Sequence, residues 1–328
     1  MSETSMGRIA GRMPRFLRRA DPAVATAFGC IILLLFLGSL YSSSFLSPEY
    51  LLLQLKVAAF LGVIATGMML VILLGHIDLS VPWTIAAGAM MACAMSANGT
   101  AGMVLAVPFG VFCGVLIGVV NGIGVAYLRI PSMIVTLATN VVAQGLMVVY
   151  TGGYSPQDSA PPSIRWLATG FAMPGVPNAI IVWLIVGAAA IFLLRRTSFG
   201  RSVYGIGNRE RAAYLSGVDT RRVVLVAFAV SGGLSAFGGV LLAGYAGKAA
   251  QSMGDAYLLP SIAAVVLGGT SILGGRGSYL GTVAGVILIT LLQSILSVMQ
   301  MPEAGRQIIY GIVILVMLLL YGRTPASR

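Results

Sequence analysis

RTSFGRSVYGIGNRERAAYLSGVDTRR, residues 196–222, is the longest polar, arginine-rich interruption in an otherwise apolar chain. What surrounds it decides the fold. The 328 residues are 58% hydrophobic and only 9% charged, against about a quarter charged in a soluble domain. Apolar runs near twenty residues recur from end to end, the length a helix needs to cross a bilayer. Lipid offers backbone groups no partner, so a spanning chain forms helices or a closed barrel. Barrel strands alternate with period two, and runs such as IILLLFL (31–37) do not. The fold class is therefore an all-α polytopic membrane protein, with no room for a soluble domain of ordinary size.

Ten spans are expected, at about 23–41, 52–74, 79–97, 103–127, 133–150, 177–194, 222–245, 258–273, 279–299 and 306–321. Cytoplasmic loops carry an excess of Lys and Arg. With the N-terminus inside, the cytoplasmic side takes 16 basic residues, including Arg129, Arg276 and the seven arginines from Arg195 to Arg222. The other side takes 4: Lys56, Arg165, Lys248 and Arg306. This assigns 1–22 to a basic cytoplasmic tail, 23–322 to the membrane domain, 196–222 to a cytoplasmic loop and 323–328 to a cytoplasmic C-terminal tail. The formal charge of +11 then reports topology and not nucleic-acid binding. The apolar run after Arg19 is longer than the core of a signal peptide, so it is expected to be an uncleaved first span. Cys30, Cys93 and Cys113 all sit in apolar stretches with no CxxC spacing, which argues for packing roles. Segment 151–176, rich in Gly and Pro, is an external connector or a partner contact, with a short surface helix around Ile164–Leu167.

Eight of the nine acidic residues fall in tails or loops. The exception is Asp78, in VILLGHIDLSVPWTIAAGAM (71–90), two residues from the only histidine, His76. Gly75 and Pro82 flank them and predict an interrupted helix. Asp78 either caps the next helix by accepting backbone N–H bonds or lines a polar pathway, since ionisable groups within spans mark functional sites. One His and one Asp are too few ligands for a metal. A second interruption, VVLGGTSILGGRGSYLGTVAG (265–285), carries Thr270, Ser271 and Arg276. Its GGRG lacks the Lys-Ser/Thr of a Walker A loop, and the only lysines precede Val57 and Ala249. No ATPase motif, cofactor motif or enzyme signature appears. In 196–222, Asn208 suits an N-cap, Glu210 suits the first turn and Gly217 suits a terminator. A helix of two turns is unstable alone, so it must dock on the bundle or on a partner.

Four segments together resemble permease subunits of bacterial ABC sugar importers of the ribose, xylose and galactose type. They are GHIDLSV (75–81), GVVNGIGVAYLRIPSMIVTLAT (118–139), TSFGRSVYGIGNRERAAYLSGVDTRRV (197–223) and VVLGGTSILGGRGSYLGTVAG (265–285). They stand in the family's order, and the resemblance covers residues 23–322. His76 and Pro82 replace glycines of the usual GGIDLSVG, and IPSM (130–133) replaces the usual IPPF. The resemblance implies a type II importer architecture in the bacterial inner membrane. Two permease copies or paralogues form the pathway, cytoplasmic ABC ATPase subunits drive it, and an external binding protein delivers a monosaccharide or small polyol. It places an ATPase-coupling helix on about 207–217, with Asn208, Glu210, Arg211, Ala212, Ala213 and Gly217. Candidate pathway residues are His76, Asp78, Ser80, Asn121, Thr270 and Ser271. Two alternatives stand beside it. One is a proton-coupled secondary transporter acting alone through Asp78 and His76. The other is an intramembrane serine protease, which needs facing Ser and His residues, and the chain has no GxSxG stretch.

Overall fold

A computed structural model describes residues 22–41, 43–154, 156 and 158–321. The expected tails, 1–22 and 323–328, lie outside the described residues except for Pro22, which opens the first helix. The chain is helical almost throughout. α1 (Pro22–Tyr41), α2 (Pro48–Leu73), α3 (Val81–Ser96), α4 (Gly99–Ala126) and α5 (Ser132–Tyr150) form the first half. The short α6 (Pro162–Thr169) precedes a two-stranded antiparallel hairpin of β1 (Phe171–Met173) and β2 (Val176–Pro177). Then come α7 (Asn178–Arg196), α8 (Ser198–Leu215), α9 (Thr220–Ala246), α10 (Leu258–Leu267), α11 (Tyr279–Val298) and α12 (Glu303–Tyr321).

Among the described residues, six helices are long and apolar enough to cross a membrane: α2, α4, α5, α7, α9 and α11. At 1.5 Å per residue, the ten residues of α10 reach only about half the ~30 Å hydrocarbon thickness. The chain leaves the helix at Gly268, well before residue 273, because the Gly-rich turn that follows cannot continue it.

α2 is the axis of the bundle, with every residue from Ala58 to Leu73 buried. An interior span has no lipid face, so it carries no amphipathic stripe. α9 packs across α2, α3 and α4, and small residues set how close it comes. A Cβ added at Gly118 of α4 would lie 2.2 Å from Phe228 O, and one at Gly232 of α9 would lie 2.2 Å from Gly114 O. Such backbone-to-backbone approach is how helices associate in lipid, where apolar burial gives no drive. α5 is the opposite case. Met133, Ile134, Leu137, Val141, Val142, Leu146 and Val149 are all exposed on it.

Candidate functional site

The turn between α2 and α3 is a knot of polar groups inside the bundle. After Leu74 the chain doubles back through Gly75, whose φ of +80° suits glycine. Asp78 follows, 1% exposed. Its Oδ1 accepts from Ser80 N (3.0 Å) and Ser80 Oγ (2.6 Å), and its Oδ2 accepts from Ser231 Oγ of α9 (3.2 Å). Asn121 Nδ2 of α4 donates to Ser80 Oγ at 2.8 Å, and Thr84 Oγ1 donates to Ser80 O at 2.8 Å. A carboxylate taken from water must be met by donors. Here hydroxyls and one backbone N–H meet it, and they tie the turn to α4 and α9. Ser80 and Asn121 are as enclosed as Asp78, and Asn121 Oδ1 has no hydrogen-bond partner among the described residues.

A third helix holds the turn from the side. Ser132, Thr136 and Asn140 of α5 stand at four-residue spacing, so they share one face. Ile77 N donates to Ser132 Oγ (3.3 Å), Leu79 N to Thr136 Oγ1 (3.0 Å) and Trp83 N to Asn140 Oδ1 (3.3 Å). The backbone donors freed by the interruption are thus satisfied by α5 side chains, as a broken helix inside a membrane protein requires. His76 is half-buried, with its ring 6.0 Å from that of Phe228.

The Gly-rich turn after α10 meets the same knot. Gly275 N donates to Leu73 O at 2.9 Å, and Ser271 N closes the turn on Arg276 O at 2.8 Å. Thr270 is buried with its hydroxyl unpartnered among the described residues, and Ser271 is half-buried. Arg276 is exposed. α8 packs on top. A Cβ at Gly207 would lie 1.9 Å from Leu73 O and 2.5 Å from Gly275 N, so only glycine fits. Tyr204 Oη donates to Gly277 O at 3.0 Å. Burial pushes its pKa above the usual phenol value, against the pull of Arg195, so the donor stays protonated at neutral pH. Residues from all four segments singled out in the sequence therefore meet around Leu73–Trp83.

α8 is two helical pieces joined across a break, the second of them the short helix expected near 207–217, which runs from Glu210 to Leu215. α8 starts at Ser198, capped by Thr197 Oγ1, and bends at Arg209 (φ −156°, ψ 99°). The break falls one residue after Asn208. Gly217 ends them with φ +85°, and Val218 N donates back to Ala213 O at 3.1 Å. Glu210 bonds Arg129 of the α4–α5 turn at 2.6 Å and accepts from Thr220 Oγ1 at 3.4 Å. Ala213 is buried against the bundle, whereas Arg211, Ala212, Tyr214 and Leu215 are exposed. Beside this turn a cavity of about 470 Å³ is lined by Tyr127, Arg129, Tyr214, Asp219, Thr220, Arg221 and Arg222.

Residues 50–318 match the family described as the permease component of branched-chain amino acid transport systems. The chain belongs to that family. This permease is similar to the ribose import permease protein RbsC of Bacillus subtilis, 36% identical over 298 residues, which are 88% of this chain and 90% of that one. It is 34% identical over 296 residues to the Haemophilus influenzae protein of the same name, covering 89% and 91% of the two chains. It is 33% identical over 298 residues to the autoinducer 2 import system permease protein LsrC of Escherichia coli, covering 91% and 86%. No solved structure matches. The permease is a multi-pass protein of the inner membrane.

Of the residues singled out in the sequence, the structure brings Asp78, Ser80 and Asn121 together, while the His76 ring lies beside Phe228. Thr270 and Ser271 sit in the adjoining Gly-rich turn, and Asn208, Glu210, Arg211, Ala212, Ala213 and Gly217 share the end of α8. Sequence reasoning missed Ser132, Thr136, Asn140 and Ser231. The first three carried a signal, since hydroxyl, hydroxyl and amide recur every fourth residue after IP in an apolar stretch. Ser231 carried none, because α9 is rich in small residues throughout.

Proposed function

We propose that this permease is one of two copies or paralogues that form the pathway of an ATP-driven importer. The solute is a monosaccharide of the ribose type or a related small polyol, handed over by an external binding protein. Ten spans cross the membrane with both termini in the cytoplasm, and ATP is hydrolysed by separate cytoplasmic ABC subunits. The observation that carries this reading is the end of α8. Tyr214 and Leu215 are 66% and 77% exposed on a turn that also carries Arg209 and Arg211. An aromatic and a leucine outside the apolar spans, presented between ionic pairs, form a docking knob. Glu210 ties that knob to Arg129 and Thr220, at the ends of α5 and α9, so movement of the knob reaches two spans. The names of the similar permeases, which carry ribose and autoinducer 2, support the solute class.

Asp78, Ser80 and Asn121 in this reading hold the helix interruption in shape, while His76, Thr270 and Ser271 sit where the interruption meets α8. A photo-crosslinking residue at Tyr214 tests the docking. It is expected to capture the ATPase subunit in membranes of cells that express the whole transporter. Capture equal to that from Leu184, on the exposed face of α7, would refute it.

A further inference from the structure

Between α9 and α10 the chain does not take the shortest route. Residues 247–257 run as an irregular strap ending in a 3₁₀ turn, Gln251–Tyr257, that descends alongside α3. Gly254 sits so tightly that an added Cβ would lie 1.9 Å from Pro82 O, at the start of α3. From Pro82 to Ser96, α3 climbs roughly 20 Å at 1.5 Å per residue, so the strap reaches deep into the bundle. Irregular backbone at membrane depth is tolerated only where protein buries it or water reaches it. Ser252 and Asp255 on the strap are exposed, and an exposed carboxylate there calls for water.

α5 faces this strap with a polar edge. Gln251 Nε2 donates to Thr151 Oγ1 at 2.8 Å and to Tyr154 O at 3.0 Å. Below Thr151 on the same edge stand Gln144 and Asn140. At 100° per residue the three lie within about 40° of one another. Gln144 is exposed and makes no hydrogen bond within the described residues. It stands twelve residues from the start of α5 and six from its end, about 18 and 9 Å along the axis. That is inside the hydrocarbon region, where an amide without a hydrogen-bond partner is strongly disfavoured. The exposed apolar residues Val142, Leu146 and Val149 point elsewhere, roughly 140–160° around the helix, whereas the exposed Met133 and Leu137 continue the Gln144 edge toward the start of α5. Lipid therefore suits the far side, and the polar part of the near edge is confined to the stretch from Asn140 to Thr151.

We propose that Asn140, Gln144 and Gln251 line the water-filled part of the transport pathway on the strap side and hydrogen-bond the hydroxyls of a neutral polyhydroxylated solute. The Oε1 and Nε2 of Gln144, the Nδ2 of Asn140 and the Oε1 of Gln251 are free of partners within the described residues. Primary amides donate and accept, as hydroxyls do, and bring no charge that would hold a sugar too long. The inference rests on the importer reading above and adds to it the residues that meet the solute.

The test is cysteine accessibility in the full transporter, with Cys30, Cys93 and Cys113 replaced by alanine. Gln144→Cys and Gln251→Cys are expected to react with a hydrophilic cationic methanethiosulfonate at least about tenfold faster than Val142→Cys, and Gln144→Cys should lose uptake of ribose on modification. Gln144→Leu should cut ribose uptake about tenfold with ATPase co-purification unchanged, while Gln144→Asn keeps most of it. Reaction of Gln144→Cys as slow as that of Val142→Cys overturns the proposal. So does spontaneous disulfide formation between Gln144→Cys residues of two copies without reagent access, because the amide would then be glue between copies. If the unsubstituted transporter takes up no ribose, the solute assignment above fails, and the labelling comparison still decides the polar edge.

Discussion

Gly207→Ala adds one methyl group where α8 touches both the end of α2 and the Gly-rich turn. The new Cβ would fall 1.9 Å from Leu73 O and 2.5 Å from Gly275 N. Neither atom belongs to a flexible side chain, so backbone must move. The bond most exposed to that movement is Gly275 N to Leu73 O, at 2.9 Å. Overpacking costs about 1–3 kcal/mol, and a lost hydrogen bond adds about 0.5–1.5 kcal/mol. Helix propensity returns up to about 1 kcal/mol for Gly to Ala. The balance is a destabilisation of about 0.5–3.5 kcal/mol, concentrated at the junction between α8 and the membrane helices. Gly205 supplies the control: it lies two residues away on the same helix, and an added Cβ meets nothing within 4 Å. Gly205→Ala should therefore be neutral or slightly stabilising. The assay is apparent melting temperature of the purified transporter together with uptake per ATP hydrolysed. Gly207→Ala should melt several degrees below Gly205→Ala and lose coupling. Equal melting and equal coupling for the two variants would refute the packing argument.

Asp78→Asn keeps the size but replaces one of the two oxygens that accept from Ser80 and Ser231 with an NH2 donor, so at least one of these hydrogen bonds, worth about 0.5–1.5 kcal/mol, is lost. Uptake should fall more than ATPase co-purification, and normal uptake at equal protein level would remove the residue from the brace. Glu210→Gln breaks a half-exposed ion pair whose stability value is under about 1 kcal/mol. The melting temperature should hold while uptake per ATP falls, and loss of both together would make Glu210 merely structural. Gly217→Leu forces a leucine into a φ of +85°, a strain of about 1–3 kcal/mol, and should weaken ATPase co-purification. Ala213→Trp should act differently, lifting the last turns of α8 off the bundle because Ala213 faces inward. Cysteines at Arg209 and Ser216 should resist impermeant thiol reagents outside intact cells, and rapid labelling there would invert the orientation.

The fold was legible because its signals are local. Twenty-residue apolar runs need no knowledge of neighbours, and Gly75 with Pro82 marks a break in any context. The short helix around Ile164–Leu167 was visible for the same reason, and α6 occupies Pro162–Thr169. The extent of α8 was hidden, because SFGRSVYGIGN looks like a loop by composition. Its helix forms because Val203 and Ile206 are buried and Gly200 and Gly207 admit neighbouring backbone. The strap was hidden as well: AAQSMGDAY carries no sign that it folds back against Pro82. The site was half visible. Asp78 stood out as the one acidic residue set in an apolar stretch, but the groups that brace its turn come from α4, α5 and α9, and only packing brings them together.

The measurement that bears most directly on the account is ribose uptake into proteoliposomes holding the permease, its ATPase and the external binding protein. The account predicts uptake that requires ATP and binding protein, stops with vanadate and is indifferent to a protonophore. Uptake by the permease alone, driven by a proton gradient and unaffected by ATP, would contradict it and return Asp78 and His76 to the centre as proton carriers.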